Sequence, residues 1–248
     1  LELRFTPVAL SKAERFPLDQ VIDWVIEGAR EGQEQYGVIT RLIASVNRHE
    51  SPDLAEQVAW LAMERKYQGI VGLDLAGNEA EFSAEPFSGI LREARQEGLN
   101  ITIHAGEWGG ADNVAEAIQE IGAQRIGHGV RVMENPDVIE MARQAQVIFE
   151  VCLTSNYQSG VVTDLGQHPF PQMLRAGLNA TLNTDDPSIS KITLSDEYRR
   201  ACEVLDIPLP VLRKSIVASA QAAFISADEK KSLIDKLNLE LDEKLALI

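Results

Sequence analysis

Three short polar segments of the sequence carry side chains that could bind a metal ion and move a proton. His104 and Glu107 follow a run of β-branched residues, His128 stands between two glycines, and Asp185 and Asp186 precede a proline. Zinc takes imidazole nitrogen and carboxylate oxygen as ligands and can leave one position open for water. A glutamate close to such a histidine could transfer the proton of a reaction. Together these residues indicate a hydrolytic metal site.

Each segment also has an ordinary structural interpretation. A single neutral histidine is readily held by hydrogen bonds in a protein interior. A histidine between glycines can mark only a tight exit from a strand, and two aspartates before a proline often form a helix cap and turn. The occurrence of all three segments at the ends of successive predicted strands favours the metal site.

The elements that must position these residues alternate between predicted strands and amphipathic helices, which indicates a parallel sheet. Six polar residues fall at or just after the C-terminal ends of predicted strands, where a (β/α)8 barrel places its active site. They are Asn47, Asp74, His104, His128, Asn156 and Asp185. No glycine-rich phosphate-binding motif follows the first strand. We therefore predict an α/β fold, a (β/α)8 TIM barrel.

The sequence predicts seven strands, whereas a closed barrel of this kind has eight. Residues 1–7 already read as a strand, so we expect that the first βα unit is missing and that the sequence is N-terminally incomplete. From about residue 195 the sequence predicts extra C-terminal helices only. In the last of these, Leu233, Leu237, Leu241 and Leu245 recur every four residues, which predicts a core-facing stripe. Residues 1–248 are predicted to form a single domain.

The composition excludes several classes of function. The net charge is −15, with 38 acidic against 23 basic residues, which disfavours nucleic-acid binding because that depends on neutralising phosphates. No apolar run approaches the roughly 20 residues that span a bilayer. The two cysteines lie far apart and form no disulfide or metal pattern, which favours a reducing compartment. We therefore expect a cytoplasmic protein with no membrane or nucleic-acid partner.

Five longer segments resemble successive sequence blocks of the adenosine deaminase family, the metal-dependent adenosine/AMP deaminases of the amidohydrolase superfamily. The segments are residues 72–79, 104–107, 125–129, 150–156 and 182–187. The resemblance extends over essentially the whole chain. It implies a barrel of the metal-dependent hydrolase type with one Zn²⁺ per subunit. It also implies a purine nucleoside substrate: the enzyme would convert adenosine, and 2′-deoxyadenosine, to the hydroxyl product (inosine from adenosine) and ammonia in purine salvage.

Carried over by position, the resemblance implies that His104 and Asp185 ligate zinc and that Asp74 is a carboxylate behind the metal ligands. Glu107 would protonate the purine ring nitrogen beside the attacked carbon, where the incoming oxygen builds up negative charge. His128 would orient the attacking water and help to deprotonate it.

The same carry-over assigns residues that bind the substrate. Asp186 would face the five-membered part of the purine. The backbone N–H of Gly77 would reach a nitrogen of the six-membered ring, an approach that a side chain would obstruct. Asn78 stands where the family usually has aspartate, a change beside the substrate that bears on specificity.

One family motif does not occur in the 248 residues: the His-x-His pair that supplies two more zinc ligands. The remaining histidines, His49 and His168, are isolated in the sequence, and we expect them on the surface or in loops. The 248 residues thus supply two of the family's four ligand groups. We expect this chain by itself to bind zinc weakly and to be nearly inactive.

Two alternatives stay open. A related deaminase of adenine or of a modified adenine nucleoside would use the same chemistry. A deaminase of adenosine monophosphate would need basic residues to bind the phosphate, whereas the motif loops are acidic. A non-catalytic barrel relative acting as a binding protein would have neither metal nor turnover. Glu107 and His128 argue against it, because a purely structural barrel needs no proton donor beside a ligand histidine. The other zinc deaminase architecture is excluded because the chain has no Cys-x-x-Cys.

Overall fold

The computed structural model describes residues 1–245, which fall into two compact units. The first unit holds Leu1–His104 and Glu116–Gln124, and the second holds Ala105–Ala115 and the chain from Arg125 onward. The single domain expected over residues 1–248 stays a prediction.

The first unit is built on four parallel strands that pair in sequence order. Its elements are β1 (Glu2–Phe5), α1 (Pro7–Glu14), α2 (Leu18–Tyr36), β2 (Arg41–Asn47), α3 (Pro52–Glu64), β3 (Ile70–Ala76), α4 (Ser88–Gln96) and β4 (Asn100–Ala105, whose last residue lies in the second unit). Five of the seven residues of β2 and five of the seven of β3 are buried, which is typical of parallel strands covered on both faces. The pairing carries the C-terminal ends of these strands to one edge of the sheet, where their polar residues meet.

The start of α3 shows how local sequence sets these boundaries. Ser51 Oγ accepts a hydrogen bond from the backbone N–H of Leu54, Pro52 occupies the first helical position, and Asp53 lies in the first turn. A side-chain oxygen at the cap, a proline that needs no N–H partner, and an acid at the positive end of the helix each favour this start.

The second unit contains three parallel strands, β5, β6 and β7, which also pair in sequence order. Its elements are α5 (Ala111–Glu116, whose last residue lies in the first unit), β5 (Arg125–His128), α6 (Pro136–Ala145), β6 (Ile148–Val151), α7 (Leu153–Gln158), α8 (Phe170–Arg175), β7 (Asn179–Leu182), α9 (Pro187–Ser190), α10 (Leu194–Glu203), α11 (Leu209–Ala222) and α12 (Ala227–Leu245). Helix α11 packs on β7, where Ser215 Oγ donates a hydrogen bond to the carbonyl oxygen of Ala180.

The structure corrects two expected element boundaries. The first strand ends at Phe5 rather than at residue 7, because Pro7 begins α1, a position where proline fits a helix well. Asn156, expected at or just after the end of a strand, lies instead within α7. This second correction matters for the site, because α7 carries side chains that contact two of the predicted site residues.

The leucine stripe of α12 is not a buried core stripe. Leu233 is 37% exposed, and Leu237 and Leu241 are half-buried. The side chain of Leu245 lies outside the described residues. Among residues 1–245, none of the helices combines the length and apolar character required to cross a membrane. The cytoplasmic location stays a prediction.

Candidate active site

The first cluster of site residues surrounds the buried carboxylate of Asp74 on β3. Its Oδ1 lies 3.3 Å from Nδ1 of His104 on β4. Its Oδ2 accepts a 2.7 Å hydrogen bond from Ser45 Oγ and lies 3.3 Å from Nε of Arg4. Burial by itself would raise the pKa of Asp74, but the charge of Arg4 and the contacts with His104 and Ser45 hold the pKa well below its usual range. An ionised carboxylate therefore faces the His104 ring.

The backbone beneath His104 is held by a buried arginine. The guanidinium of Arg48 donates a 2.8 Å hydrogen bond to the carbonyl oxygen of His104 and a 3.2 Å hydrogen bond to that of Phe82. Burial lowers the pKa of Arg48, and the nearby acidic side chains, Glu79 first among them, act in the opposite direction. His104 is thus fixed both at its ring and at its main chain.

Gly77 follows β3 and has a backbone conformation that favours glycine. Its φ is +93°, and a Cβ built there would lie 3.2 Å from the backbone nitrogen of Arg48. A side chain at this position would strain the turn and crowd the neighbouring strand end. The backbone conformation and the nearby Arg48 nitrogen therefore both favour glycine at this position. The contact of the Gly77 N–H with a substrate stays a prediction.

The second cluster brings together three predicted site residues. His128 ends β5, and its Nε2 lies 3.5 Å from Oε2 of Glu107 and 3.9 Å from Oδ2 of Asp185. The His128 ring is buried, and the side chains of Glu107 and Asp185 are only partly exposed. An imidazole between two carboxylates can hold and move a proton at the edge of solvent.

Two members of this cluster have left-handed backbones. The φ angle is 58° at His128 and 54° at Asp185. Such conformations cost free energy in residues other than glycine, and histidine and aspartate are among the types that adopt them more readily. Gly129 continues the turn at φ +64°, where an added Cβ would clash with the Phe149 ring. The strand end is therefore shaped to present His128 at a specific angle.

Helix α7 supports this cluster from behind. Ser155 Oγ donates a 2.7 Å hydrogen bond to Oδ2 of Asp185, and Nδ2 of Asn156 lies 3.0 Å from Nδ1 of His128. At the start of α7, the hydroxyl and the backbone N–H of Thr154 donate hydrogen bonds to the fully buried carboxylate of Glu197 on α10. Sequence reasoning noted Asn156 at a strand end without giving it a role, and it missed Ser155 and Glu197.

His168 lies in a loop before α8, one of the two positions expected for it, but it is buried rather than on the surface. It is 1% exposed, its Nε2 lies 3.2 Å from Oδ1 of Asn156, and its Nδ1 accepts a 3.0 Å hydrogen bond from the backbone N–H of Phe170. Burial lowers the pKa of His168 to about 4. His49, by contrast, has a half-exposed ring, as expected. His168 therefore belongs to the hydrogen-bonded surroundings of His128.

Asp186 directly precedes α9 and is exposed. Its carbonyl oxygen accepts hydrogen bonds from the backbone N–H groups of Ile189 and Ser190. This is the cap-and-turn geometry that a pair of aspartates before a proline indicates. Its role toward a purine stays a prediction.

The donor types fit a zinc ion. His104 turns one ring nitrogen toward a buried carboxylate, the arrangement that orients zinc-binding imidazoles, and Asp185 offers a carboxylate beside His128. Within residues 1–245, however, no three or more His, Cys, Asp or Glu side chains lie close enough together to hold a metal. This part of the chain therefore offers the right ligand chemistry but not the three protein ligands usual for a catalytic zinc.

Comparisons with known proteins bear on the identity of the chain. The family model for adenosine deaminase matches residues 1–240. An adenosine deaminase of Klebsiella pneumoniae (strain 342) is 38% identical over 238 residues, which cover 96% of this chain and 71% of that protein. The crystal structure of an adenine deaminase from Arthrobacter aurescens is 30% identical with a TM-score of 0.90, covering 97% of this chain and 73% of that one. An amidohydrolase from Burkholderia ambifaria, solved with bound Zn, has a TM-score of 0.93 at 23% identity over 100% of this chain and 70% of that one, and supports the fold.

These likenesses show first that the chain has the α/β barrel fold of amidohydrolase-type enzymes, which confirms the predicted fold class. Seven strands lie within the described residues, four in the first unit and three in the second. The chain belongs to the adenosine deaminase family. The predicted enzyme class, a hydrolytic deaminase, is confirmed with it. The roles of individual residues stay predictions.

Proposed function

We propose that the protein catalyses the hydrolytic deamination of adenosine to inosine and ammonia, and accepts 2′-deoxyadenosine. The observation that carries the proposal is the cluster in which His128 Nε2 lies 3.5 Å from the Glu107 carboxylate and 3.9 Å from that of Asp185. Such a group can place a water molecule and transfer its proton to a leaving amine. Its three residues are the ones that match the motifs of the adenosine deaminase family.

The proposed metal is one Zn²⁺, with His104 and Asp185 among its ligands. When bound, zinc supplies Lewis acidity that makes water a nucleophile at neutral pH. Asp74 keeps the His104 ring in one orientation, because its ionised carboxylate faces Nδ1 at 3.3 Å. Ser155 does the same for Asp185 by donating a hydrogen bond to its Oδ2.

Glu107 acts as the proton donor to the purine ring. Attack of water on the carbon that bears the amino group builds negative charge on the adjacent ring nitrogen. A protonated carboxyl at hydrogen-bond distance neutralises this charge, and its partial burial strengthens the interaction because little water competes. Asp186 and the backbone N–H of Gly77 then hold the purine in place.

The 248-residue chain has a restricted activity in this proposal. Its sequence contains no His-x-His motif, so it offers only two of the four ligand groups of its family. We therefore propose weak zinc binding and little turnover for this chain by itself. Stoichiometric zinc together with rapid conversion of adenosine by the 248 residues would contradict this part of the proposal.

An ultraviolet assay tests the main proposal. The full-length product of the gene that encodes this chain is incubated with adenosine, and the loss of adenosine absorbance is followed beside the release of ammonia, with and without a zinc chelator. Turnover that the chelator abolishes and zinc restores supports the proposal. No turnover of any purine by the zinc-loaded protein would defeat it in favour of a non-catalytic binding protein.

Adenine is the second candidate substrate, because a structural relative at 30% identity is an adenine deaminase. The same assay with adenine, 2′-deoxyadenosine and adenosine monophosphate separates the candidates. A kcat/KM for adenine well above that for adenosine would assign the protein to the adenine-specific alternative.

A further inference from the structure

We propose that His168 is a positioning residue that, through the side-chain amide of Asn156, determines which ring nitrogen of His128 carries the proton. The proposal deepens the proposed function, because His128 is one of its catalytic residues. The three side chains form a continuous hydrogen-bonded row: His168 Nε2 to Asn156 Oδ1 at 3.2 Å, and Asn156 Nδ2 to His128 Nδ1 at 3.0 Å. All three residues are buried.

At the His168 end of the row, the direction of one hydrogen bond is fixed, because its donor is a backbone N–H. The backbone N–H of Phe170 lies 3.0 Å from Nδ1 of His168, and a backbone N–H can only donate. Nδ1 of His168 must therefore accept, so it carries no proton. A neutral His168 ring then has its proton on Nε2. The ring stays neutral at physiological pH because burial disfavours its charged form.

The orientation of the Asn156 amide follows from this. The Nε2–H of His168 needs an acceptor, and the amide oxygen of Asn156 lies 3.2 Å away. With its oxygen turned to His168, the amide turns its NH₂ group to Nδ1 of His128. Since Asn156 is fully buried, no water can replace either partner. The opposite orientation of the amide would place its NH₂ group against the Nε2–H of His168, so that two donors would face each other.

The orientation of the Asn156 amide determines which ring nitrogen of His128 carries the proton. Its Nδ1 accepts a hydrogen bond from Asn156, so the neutral ring carries its proton on Nε2, the nitrogen that faces Glu107 and Asp185. His128 thus presents a hydrogen-bond donor to these carboxylates and to a water between them. In this arrangement the neutral His128 ring orients the water by donating to it, whereas the family resemblance implies that His128 also helps to deprotonate that water.

Substitutions at His168 separate this role from a merely structural one. In His168→Gln, the side-chain amide N–H can still reach the oxygen of Asn156. In His168→Asn, the shorter side chain can still accept from the Phe170 N–H but cannot reach Asn156. We expect the first variant to keep the direction of the row and the second to release the Asn156 amide, which can then turn over. His49→Asn is a matched control, because that ring is half-exposed and lies outside the row.

The readout is the tautomer of His128, observed by long-range ¹H–¹⁵N correlation spectra of the full-length gene product with ¹⁵N-labelled histidine. We expect the Nε2–H form of His128 in the unsubstituted protein, in His168→Gln and in His49→Asn, and a mixture of both forms in His168→Asn. Asn156→Asp gives a further test, because an ionised carboxylate only accepts and should move the proton to Nδ1 of His128. An Nδ1–H form in the unsubstituted protein, or an unchanged spectrum in His168→Asn, would overturn the proposal.

Activity measurements on the same variants give a second readout. His168→Asn should lower kcat by about 10- to 100-fold, the usual effect of removing a partner behind a site, with a smaller change in KM and with rescue in His168→Gln. Equal loss in both variants would indicate structural damage and contradict the proposal. Because the spectra need no substrate, they decide the role of His168 even if the protein deaminates nothing, so the two proposals fail separately.

Discussion

The hydroxyl of Ser155 on α7 donates a 2.7 Å hydrogen bond to Oδ2 of Asp185, one of the two proposed zinc ligands. A carboxylate that already has a donor on one oxygen is held in one rotamer and presents its other oxygen in a fixed direction. Partners of this kind are part of how proteins adjust the affinity of a metal site.

The first prediction concerns Ser155→Ala. Without the hydroxyl the Asp185 carboxylate is free to rotate, so zinc affinity and kcat should each fall by about 10-fold or more. Competition with a chromophoric chelator measures the affinity. Ser159→Ala on the same segment is the control, because the Ser159 hydroxyl contacts the backbone oxygen of Asn156 instead of Asp185. Unchanged zinc affinity in Ser155→Ala would show that the hydrogen bond does not support the metal ligand.

The second prediction concerns Glu107→Gln. Glutamine keeps the size of the side chain but cannot donate the proton of a carboxyl, so kcat/KM should fall by about 10² to 10⁴. Zinc content should not change, because Glu107 is not a proposed ligand. Glu140→Gln on α6 is a suitable control, since Glu140 pairs with Arg143 on an exposed helix face. Turnover near that of the control would remove Glu107 from the mechanism.

The third prediction separates the chemistry of Asp185 from its backbone conformation. Both Asp185→Asn and Asp185→Ala should lose zinc by elemental analysis, since neither has a carboxylate. Only the alanine variant should also lose stability, by about 1 kcal/mol, because alanine tolerates the left-handed conformation less well than asparagine. Asp206 has a similar φ of 52° and no place in the site, so the same two substitutions there should reproduce the stability difference and leave zinc bound. Full zinc in Asp185→Asn would refute the ligand assignment.

The fourth prediction concerns stability against pH. Burial lowers the pKa of His168 from 6.5 to about 4, so between these values the unfolded chain binds a proton at this residue that the folded chain does not. The contribution of His168 to the free energy of unfolding should therefore be fully present above pH 6.5. It should decrease as the pH drops toward 4, by up to about 1.4 kcal/mol per pH unit. Urea unfolding at pH 7 and pH 5 measures the difference. In His168→Gln the difference should shrink by about 2 kcal/mol, and an identical difference in both proteins would contradict the buried, neutral histidine.

Much of this site could be predicted because it depends on strand ends. In a parallel sheet, a polar residue near the C-terminal end of a buried strand lies near the edge where active sites form. Asp74, His104 and His128 lie at or near the ends of β3, β4 and β5, as the sequence pattern predicts, while their roles stay predictions. The contact between Asp74 and the His104 ring also agrees with the carboxylate expected behind a metal ligand. For these residues, the position near the end of a predicted strand is enough to predict the position at the C-terminal edge of the sheet.

The surroundings of His128 could not be predicted in the same way. The His168 ring bonds locally to the backbone N–H of Phe170, and its link to Asn156, 12 residues away, exists because α7 and the segment before α8 pack together. Nothing in a lone histidine before a proline distinguishes this burial from a surface turn. The available signal was Asn156 itself, an amide near a predicted strand end that, once buried, must find partners for both its oxygen and its nitrogen.

The left-handed backbones at His128 and Asp185 have a consequence for the range of sequences that this site can accept. At these two positions the main chain already favours a short set of residue types: glycine, asparagine, aspartate and histidine. In a library randomised at both codons and selected only for folded protein, these four types should therefore be enriched. The backbone conformation of the turn would therefore restrict which residue types can supply the catalytic side chains at these two positions.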